Sequence, residues 1–350
     1  MVNVYQTGGT MAVTIWDVAK KAGVSVATVS RVINHSTHKV NEATRRRVLA
    51  AIQELGYQPN DVARGLKKRT SRTIALIVPD ISNPFYPAIA RGIEDIANQH
   101  GYAVVLCNTY ENLTKEREYL DLLRRRWVDG LIFATVGRNT RHLRWLRGHS
   151  IPVVLIARDV EGLEIGSVLV DNFQGAYEAI RRLIRLGHRR IGFIGGPPNL
   201  HVVQERRRGY LQALCEAEIE PDPSLSVEGN FRAEGGFEAM QQLLQIPLPP
   251  SAVFAANDLM AIGAMDAIKR SGLRIPEDVA VVGFDDITFA SLVELTLTTV
   301  AQPKYKMGTM AMSRLLEIMR GKRNGPRKIV LEPQLVVRDS CGAHVRRIGG

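Results

Sequence analysis

The sequence predicts a small all-α headpiece followed by an α/β core of two doubly wound parallel-sheet lobes. Three observations predict this. Two short, capped helical patterns flank a Gly-Val-Ser turn in "VTIWDVAKKAGVSVATVSRVIN". From Thr73 onward the pattern changes to continuous apolar runs alternating with helical stretches. Finally, 350 residues exceed what one hydrophobic core usually organises, so two or three domains are expected.

Thr14 followed by Asp17 makes a capping-box-like start, so a first helix runs from about Ile15 to Ala22, with Gly23 as its stop. Ser25 caps a second helix in which Val29, Val32 and Ile33 recur at helical spacing and face inward. Val26, Ala27, Thr28, Ser30, Arg31 and Asn34 are left for other faces, and these side chains are small or able to hydrogen-bond. A pair of helices with such an outer face is the form of a helix-turn-helix, whose second helix enters the DNA major groove. An ordinary capped helical hairpin would share the local pattern, and charge separates the two. Residues 1–72 carry twelve Lys and Arg against four Asp and Glu, a net +8 out of +11 for the whole chain. Basic excess confined to one small segment is the footprint of phosphate neutralisation, and the expected partner is nucleic acid.

A third helix follows from about Asn41 to Leu55, with Val48, Leu49, Ile52 and Leu55 on one face and Arg45, Arg46 and Arg47 near its start. Cations there oppose the helix macrodipole, so a phosphate is a better reason for them than helix stability. The stretch "YQPNDVARGLKKRTSR" is too short and polar to hold a helix alone and reads as a linker or a helix that forms on binding. The expected divisions are an arm at 1–12, the headpiece at 13–58, a hinge at 59–72, the core at 73–340 and a basic tail at 341–350. The arm is expected to be disordered, or an artefact if translation starts at Met11.

In the core, "TIALIVP", "YAVVLCN", "GLIFAT", "PVVLIA", "SVLVDN", "RIGFIGG", "AVFAAND", "VAVVGFDD" and "LTTVAQP" are strands buried on both faces of parallel sheets. Ligands of open parallel sheets bind beyond the carboxyl ends of strands. Polar residues collect there: Asp80 and Asn83, Asp171 and Asn172, Asn257 and Asp258, Asp285 and Asp286. Phe85, Tyr86, Phe231 and Phe284 stand near such ends and can stack on a ring. Any one Asp or Asn at such a place is better explained as a helix cap, but the set in two lobes points to a cleft for a polar ligand.

Several function classes lack their motifs. There is no phosphate-binding Walker sequence, "GFIGGPPN" lacks the dinucleotide glycine spacing, and no nucleophile elbow or His-Glu-x-x-His zinc motif occurs. His188 reads as a helix C-cap. Cys107, Cys215 and Cys341 are widely separated and read as buried or incidental thiols. No cofactor or metal and no enzymatic activity are expected. With no long apolar run and no basic-then-apolar start, the chain is expected to stay in the cytoplasm, away from membrane.

On these motifs the chain resembles the lactose-repressor (LacI/GalR) family from Val13 to about Ser340. The carriers are the headpiece stretch already quoted, "YQPNDVARGL", "DISNPFY", "RRRGY", "AANDLMAIGA" and "VVGFDD". The resemblance implies a headpiece and hinge joined to a core like a type I periplasmic binding protein. It also implies a homodimer or larger assembly on a near-palindromic operator, with affinity controlled by a small effector such as a sugar or nucleoside. Carried over by residue, Val26 and Ala27 occupy base-reading positions, Arg31 a base contact, and Thr28, Ser30 and Asn34 phosphate and groove contacts. Asn60 resembles a hinge phosphate contact and Leu66 the hinge leucine that wedges into the minor groove. Thr14, Tyr57 and Ala63 complete the implied DNA-binding set. Arg206, Asn257 and Asp285 match effector positions, with Phe85, Asp171 and Phe231 as further members. The loop "NHSTHKV" is one residue longer than is common, which leaves the roles of His35 and His38 open. A sugar- or nucleoside-binding receptor with a basic appendage is the competing class.

Overall fold

A computed structural model describes residues 13–33, 40–57, 70–125, 128–134, 151–158, 165–322 and 327–342. The chain divides into two compact units, Met1–Ser71 and Arg72–Gly350. In the first, α1 spans Ile15–Ala22, α2 Val26–Ile33 and α3 Glu42–Leu55. The Asp17 carboxylate accepts from the Thr14 amide at 2.8 Å and its hydroxyl at 2.7 Å, which holds that carboxyl below the usual range. Gly23 ends α1 at φ 64°, a left-handed conformation that suits a residue without Cβ. The Ser25 hydroxyl accepts from the Thr28 amide at 3.2 Å, and Asn41 caps α3 by accepting from the Thr44 amide at 2.7 Å. Val18, Ala22, Val29, Val32, Val48 and Ala51 form the small core. Leu49 does not join them: it is half exposed. Val48, Ala51, Ile52 and Leu55 follow the i, i+3, i+4, i+7 stripe, and Leu49 is turned about 100° away from its start.

The second unit is built from two six-stranded sheets of matching order. The first lobe holds β1 (Thr73–Val78), β2 (Ala103–Asn108), β3 (Gly130–Phe133), β4 (Val153–Ile156), β5 (Gly166–Val170) and β11 (Lys328–Leu331), ordered β2-β1-β3-β4-β5-β11. The second holds β6 (Ile191–Gly195), β7 (Ser226–Glu228), β8 (Ala252–Ala255), β9 (Ala280–Asp285), β10 (Thr298–Ala301) and β12 (Gln334–Val336), ordered β7-β6-β8-β9-β10-β12. Among the described residues all pairings are parallel except β10 with β12. All nine apolar runs are strands, but β2 is not buried on both faces as expected: it is the edge of its sheet and leaves Val105 and Leu106 exposed. β7, β11 and β12 are not among those runs: they are three- or four-residue edge strands, too short to stand out even where, as at Ile329, Val330 and Leu331, they are apolar.

Among the described residues the helices of this unit are α4 (Phe85–Gln99), α5 (Leu113–Arg125), α6 (Asn172–Arg185), α7 (His201–Glu216), α8 (Ala233–Gln245), α9 (Asp258–Arg270) and α10 (Lys304–Met319). The chain passes between lobes after β5, after β10 and after β11, so α10 packs on α4 in the first lobe although it follows the last long strand of the second. Cys341, which the sequence places at the start of the tail, is buried in the hydrophobic cluster of the second lobe. Cys107 is buried as well, and burial pushes its thiol up to about 11; Cys215 is exposed. Among the described residues no helix is long and apolar enough to cross a membrane.

The α4–α10 contact is closed by glycine on both sides. A methyl at Gly92 would strike the Tyr305 carbonyl oxygen, and one at Gly308 the Ile89 carbonyl oxygen. Backbone cannot swing aside as a side-chain tip can, so Gly308→Ala is expected to destabilise the core by about 1–3 kcal/mol, the usual cost of overpacking. Urea unfolding of the full chain measures this, and an unchanged midpoint would contradict the close approach.

Candidate functional site

Because both lobes have the same strand order, both present their reversal point at the carboxyl ends of the strands, and those ends line one cleft of about 390 Å³. The first lobe contributes Asp80 and Asn83 after β1, Phe85 and Tyr86 at the start of α4, Glu111 after β2, and Ala157 and Arg158 after β4. The second contributes Arg206 from α7, Phe231 after β7, Asn257 after β8, Asp285 ending β9 and Gln302 after β10. Glu111, Ala157, Phe231 and Asp285 all have positive φ, at 58°, 57°, 63° and 122°. Non-glycine residues in such conformations are uncommon, and their concentration around one cavity is what a functional site maintained by its surroundings shows.

Arg206 and Asp285 form the floor. Arg206 is buried; its Nε donates to Asn172 Oδ1 at 2.9 Å, its Nη1 to the Ala256 carbonyl, and its guanidinium lies 3.7 Å from the Phe284 ring centroid. Burial lowers it to about 10, with the Asp285 charge pulling the other way. Asp285 Oδ1 stands 4.0 Å from Arg206 Nη2 and accepts from Gln302 Nε2 at 2.6 Å. Burial outweighs those partners and raises its carboxyl to about 6. Asp258 lies beneath, fully buried, accepting from the Thr299 hydroxyl at 2.5 Å and the Ile287 amide at 2.8 Å; burial and the Asp285 charge raise it well above the usual range.

The strand-end residues divide by task. Asn257 both lines the cleft and caps α9: its Oδ1 accepts from the Met260 amide at 3.0 Å and its Nδ2 donates to the Phe231 carbonyl at 3.0 Å, which fixes the aromatic. Gly196 makes room for that ring, since a Cβ there would overlap it. Asp171 is not among the lining residues; its carboxylate caps α6 through the Gln174 amide at 2.8 Å. Asp286 Oδ1 accepts from Arg338 Nη2 at 2.6 Å. Of the six effector positions expected, the structure brings together Phe85, Arg206, Phe231, Asn257 and Asp285. Arg158 and Gln302 also line the cleft outside the expected set, and each directly follows an apolar run, the same signal that marked the carboxylates. His188 serves the fold: its amide closes the end of α6 on the Leu183 carbonyl at 3.2 Å, and its Nδ1 lies 3.0 Å from Ser251 Oγ. Among the described residues no His, Cys, Asp and Glu cluster could hold a metal ion.

In the headpiece, Ala27 and Arg31 are exposed along α2, while Val26, Thr28 and Ser30 are half-buried. Thr28 Oγ1 lies 3.0 Å from Ser25 Oγ, Thr14 is exposed, and Tyr57 packs on the small core. Asn34, Asn60, Ala63 and Leu66, with His35 and His38, lie outside the described residues.

A basic three-helix unit joined to two matching lobes around a polar cleft defines a class of ligand-regulated DNA-binding proteins. Residues 14–60 match the model of bacterial regulatory proteins of the lacI family, and residues 180–341 match a periplasmic binding protein-like domain. The HTH-type transcriptional regulator RegA of Clostridium saccharobutylicum is 41% identical over 332 residues, which cover 94% of this chain and 99% of RegA. Among solved structures, the Lac repressor dimer bound to operator and the anti-inducer ONPF is similar at TM-score 0.85 and 31% identity, covering 94% of this chain and 99% of that one. A transcriptional regulator CelR–cellobiose complex is similar at TM-score 0.73 and 37% identity, with coverage of 94% and 99%. The chain belongs to the lacI family of bacterial regulatory proteins.

The raised Asp285 carboxyl has a signed consequence. Its folded value of about 6 exceeds the ordinary 3.8, so the folded state binds the proton more tightly, and this group's contribution to stability falls as pH rises from about 4 through 6. Asp285→Asn removes that fall. Urea unfolding of wild type and variant across pH 4–7 checks it, and parallel pH profiles would contradict the assignment.

Proposed function

We propose that the chain is a transcriptional repressor that binds a near-palindromic operator as a homodimer and changes operator affinity when a small polyhydroxylated ligand, a sugar or nucleoside, fills the lobe cleft. The observation that carries the ligand half is the Arg206–Asp285 floor beneath Phe85 and Phe231. A carboxylate accepts from vicinal hydroxyls, a guanidinium donates to ring and hydroxyl oxygens, and an aromatic face covers the apolar side of a ring. The solved CelR relative holds cellobiose, which supports the sugar class.

The DNA half rests on the headpiece. Ala27 and Val26 offer apolar contact to thymine methyls, Arg31 a bidentate donor for guanine, and Thr28, Ser30, Asn34, Thr14 and Tyr57 contacts to phosphate and groove. Arg45, Arg46 and Arg47 at the start of α3 add phosphate neutralisation. The Lac repressor relative is a dimer on its operator, and here β2 is an edge strand that exposes Val105 and Leu106, an apolar border suited to a second copy.

In this reading Asn60, Ala63 and Leu66 belong to a hinge that folds when two copies meet over the minor groove, Leu66 entering a base step and trading a few kcal/mol of unstacking for a bend. Leu66→Ala is expected to weaken specific operator binding much more than non-specific binding and to reduce DNA bending. Gel mobility of circularly permuted operator fragments with the full chain measures this; an unaltered bend would overturn the wedge.

A further inference from the structure

Lys304 stands where a cation is least expected. It is the first residue of α10, and a positive charge at a helix N-terminus opposes the macrodipole. It is also half-buried, and burial holds its ammonium below the usual range against the pull of Asp285, Asp286 and Asp258. Two unfavourable features at one residue call for a compensating contact, and the structure contains it. Nζ donates to the Asp285 carbonyl and, at 2.6 Å, to the Asp286 carbonyl.

The two ends of this contact belong to different lobes. The backbone of Lys304 is committed to the first lobe, because α10 places Met307, Ala311 and Leu315 in that lobe's core and brings Gly308 against the Ile89 carbonyl of α4. The two carbonyls close β9 in the second lobe. Asp285 and Asp286 have consecutive positive φ, 122° and 53°, a conformation that is unfavourable for residues with side chains and here brings two successive carbonyls within reach of one ammonium. Other groups hold the same dipeptide: Gln302 Nε2 donates to Asp285 Oδ1 at 2.6 Å, Arg338 Nη2 to Asp286 Oδ1 at 2.6 Å, and Thr299 Oγ1 accepts from the Asp286 amide at 3.4 Å. None of these is anchored in the first lobe's core, since Gln302 lies in the crossover, Thr299 in β10 and Arg338 beyond β12. The other interlobe contact, Asp80 with Arg232, is longer and half exposed, so solvent screens it, whereas charge-assisted bonds from a half-buried ammonium to fixed carbonyls are screened less.

We propose that Lys304 is an interlobe clasp, a positioning residue that sets the resting angle between the two lobes by gripping the end of β9 from the first turn of α10. This goes beyond the effector reading, because the grip is on backbone and holds whatever ligand enters the cleft. Any rotation of one lobe against the other at the crossovers must carry these two bonds along or break them.

The test measures the distance between lobes in the full chain by pulsed electron paramagnetic resonance, with no ligand added. One spin label goes on Cys215, exposed on α7 of the second lobe, and one on Glu118→Cys, at an exposed position of α5 in the first; Cys107 and Cys341 are buried. Labelled chains are diluted into unlabelled chain so that distances between copies drop out. The chain with Lys304 intact is expected to give one narrow distribution. Lys304→Met should shift its centre or at least double its width, and Lys304→Arg, which keeps several donors on one cation, should restore most of the narrow distribution. Urea unfolding of each variant runs alongside, and the loosening in Lys304→Met is expected under conditions where its core is still fully folded. An unchanged distribution in Lys304→Met overturns the proposal. So does a change that appears only together with loss of folded core, which is what a cation serving local stability alone would give, or an equal loosening in Lys304→Arg and Lys304→Met.

Discussion

Burying a guanidinium and a carboxylate together, 4.0 Å apart over the Phe284 ring, is the constraint around which the rest of the core is arranged. Neither ion could stay charged there alone, because removing it from water costs several kcal/mol that only local partners offset. Each finds those partners at a place where the chain changes lobes. Arg206 takes Asn172, the first residue after the β5 crossover, and Asp285 takes Gln302, which follows β10 at the next crossover. Lys304 extends this by donating from Nζ to the Asp286 carbonyl at 2.6 Å. The pair that forms the floor of the cleft therefore also ties down two of the three strands of chain that link the lobes.

This placement supplies a physical route from ligand to lobe geometry. A ligand that bonds to Arg206 and Asp285 competes with, or reinforces, the bonds those ions make to Asn172 and Gln302. Its binding energy is then spent partly at the crossovers, which is the differential contact that any shift between two conformations requires. The interlobe ion pair of Asp80 with Arg232, half exposed at 3.6 Å, adds a weaker, solvent-screened tether across the mouth.

Much of the architecture was legible in the sequence, because caps and apolar runs are local signals. Thr14, Ser25 and Asn41 mark helix starts by side-chain hydrogen bonds within four residues, Gly23 and Gly56 mark helix ends by left-handed backbone, and the strands announce themselves as continuous apolar runs. What was not legible depends on distant partners. The edge strands β7, β11 and β12 are defined by what they pair with, and the return of α10 to the first lobe follows from three crossovers that no local pattern records. At the cleft, Asp171 and Asn257 look alike in sequence, each an N-cap after an apolar run, yet only Asn257 lines the cavity. An arginine after "PVVLIA" reads in sequence as ordinary surface charge, and only the fold shows that Arg158 lines the cleft.

A double-mutant cycle on Arg206 and Asp285 tests the central constraint most directly, because it needs no ligand. Unfolding of the full chain's core by urea would be compared for wild type, Arg206→Met, Asp285→Leu and the double variant. If the two ions hold each other in place, each single change strands the other and costs about 3–5 kcal/mol, while the double variant costs at least about 2 kcal/mol less than the sum. Additive losses, agreeing within about 0.5 kcal/mol, would show that the two groups are stabilised independently and would contradict the account.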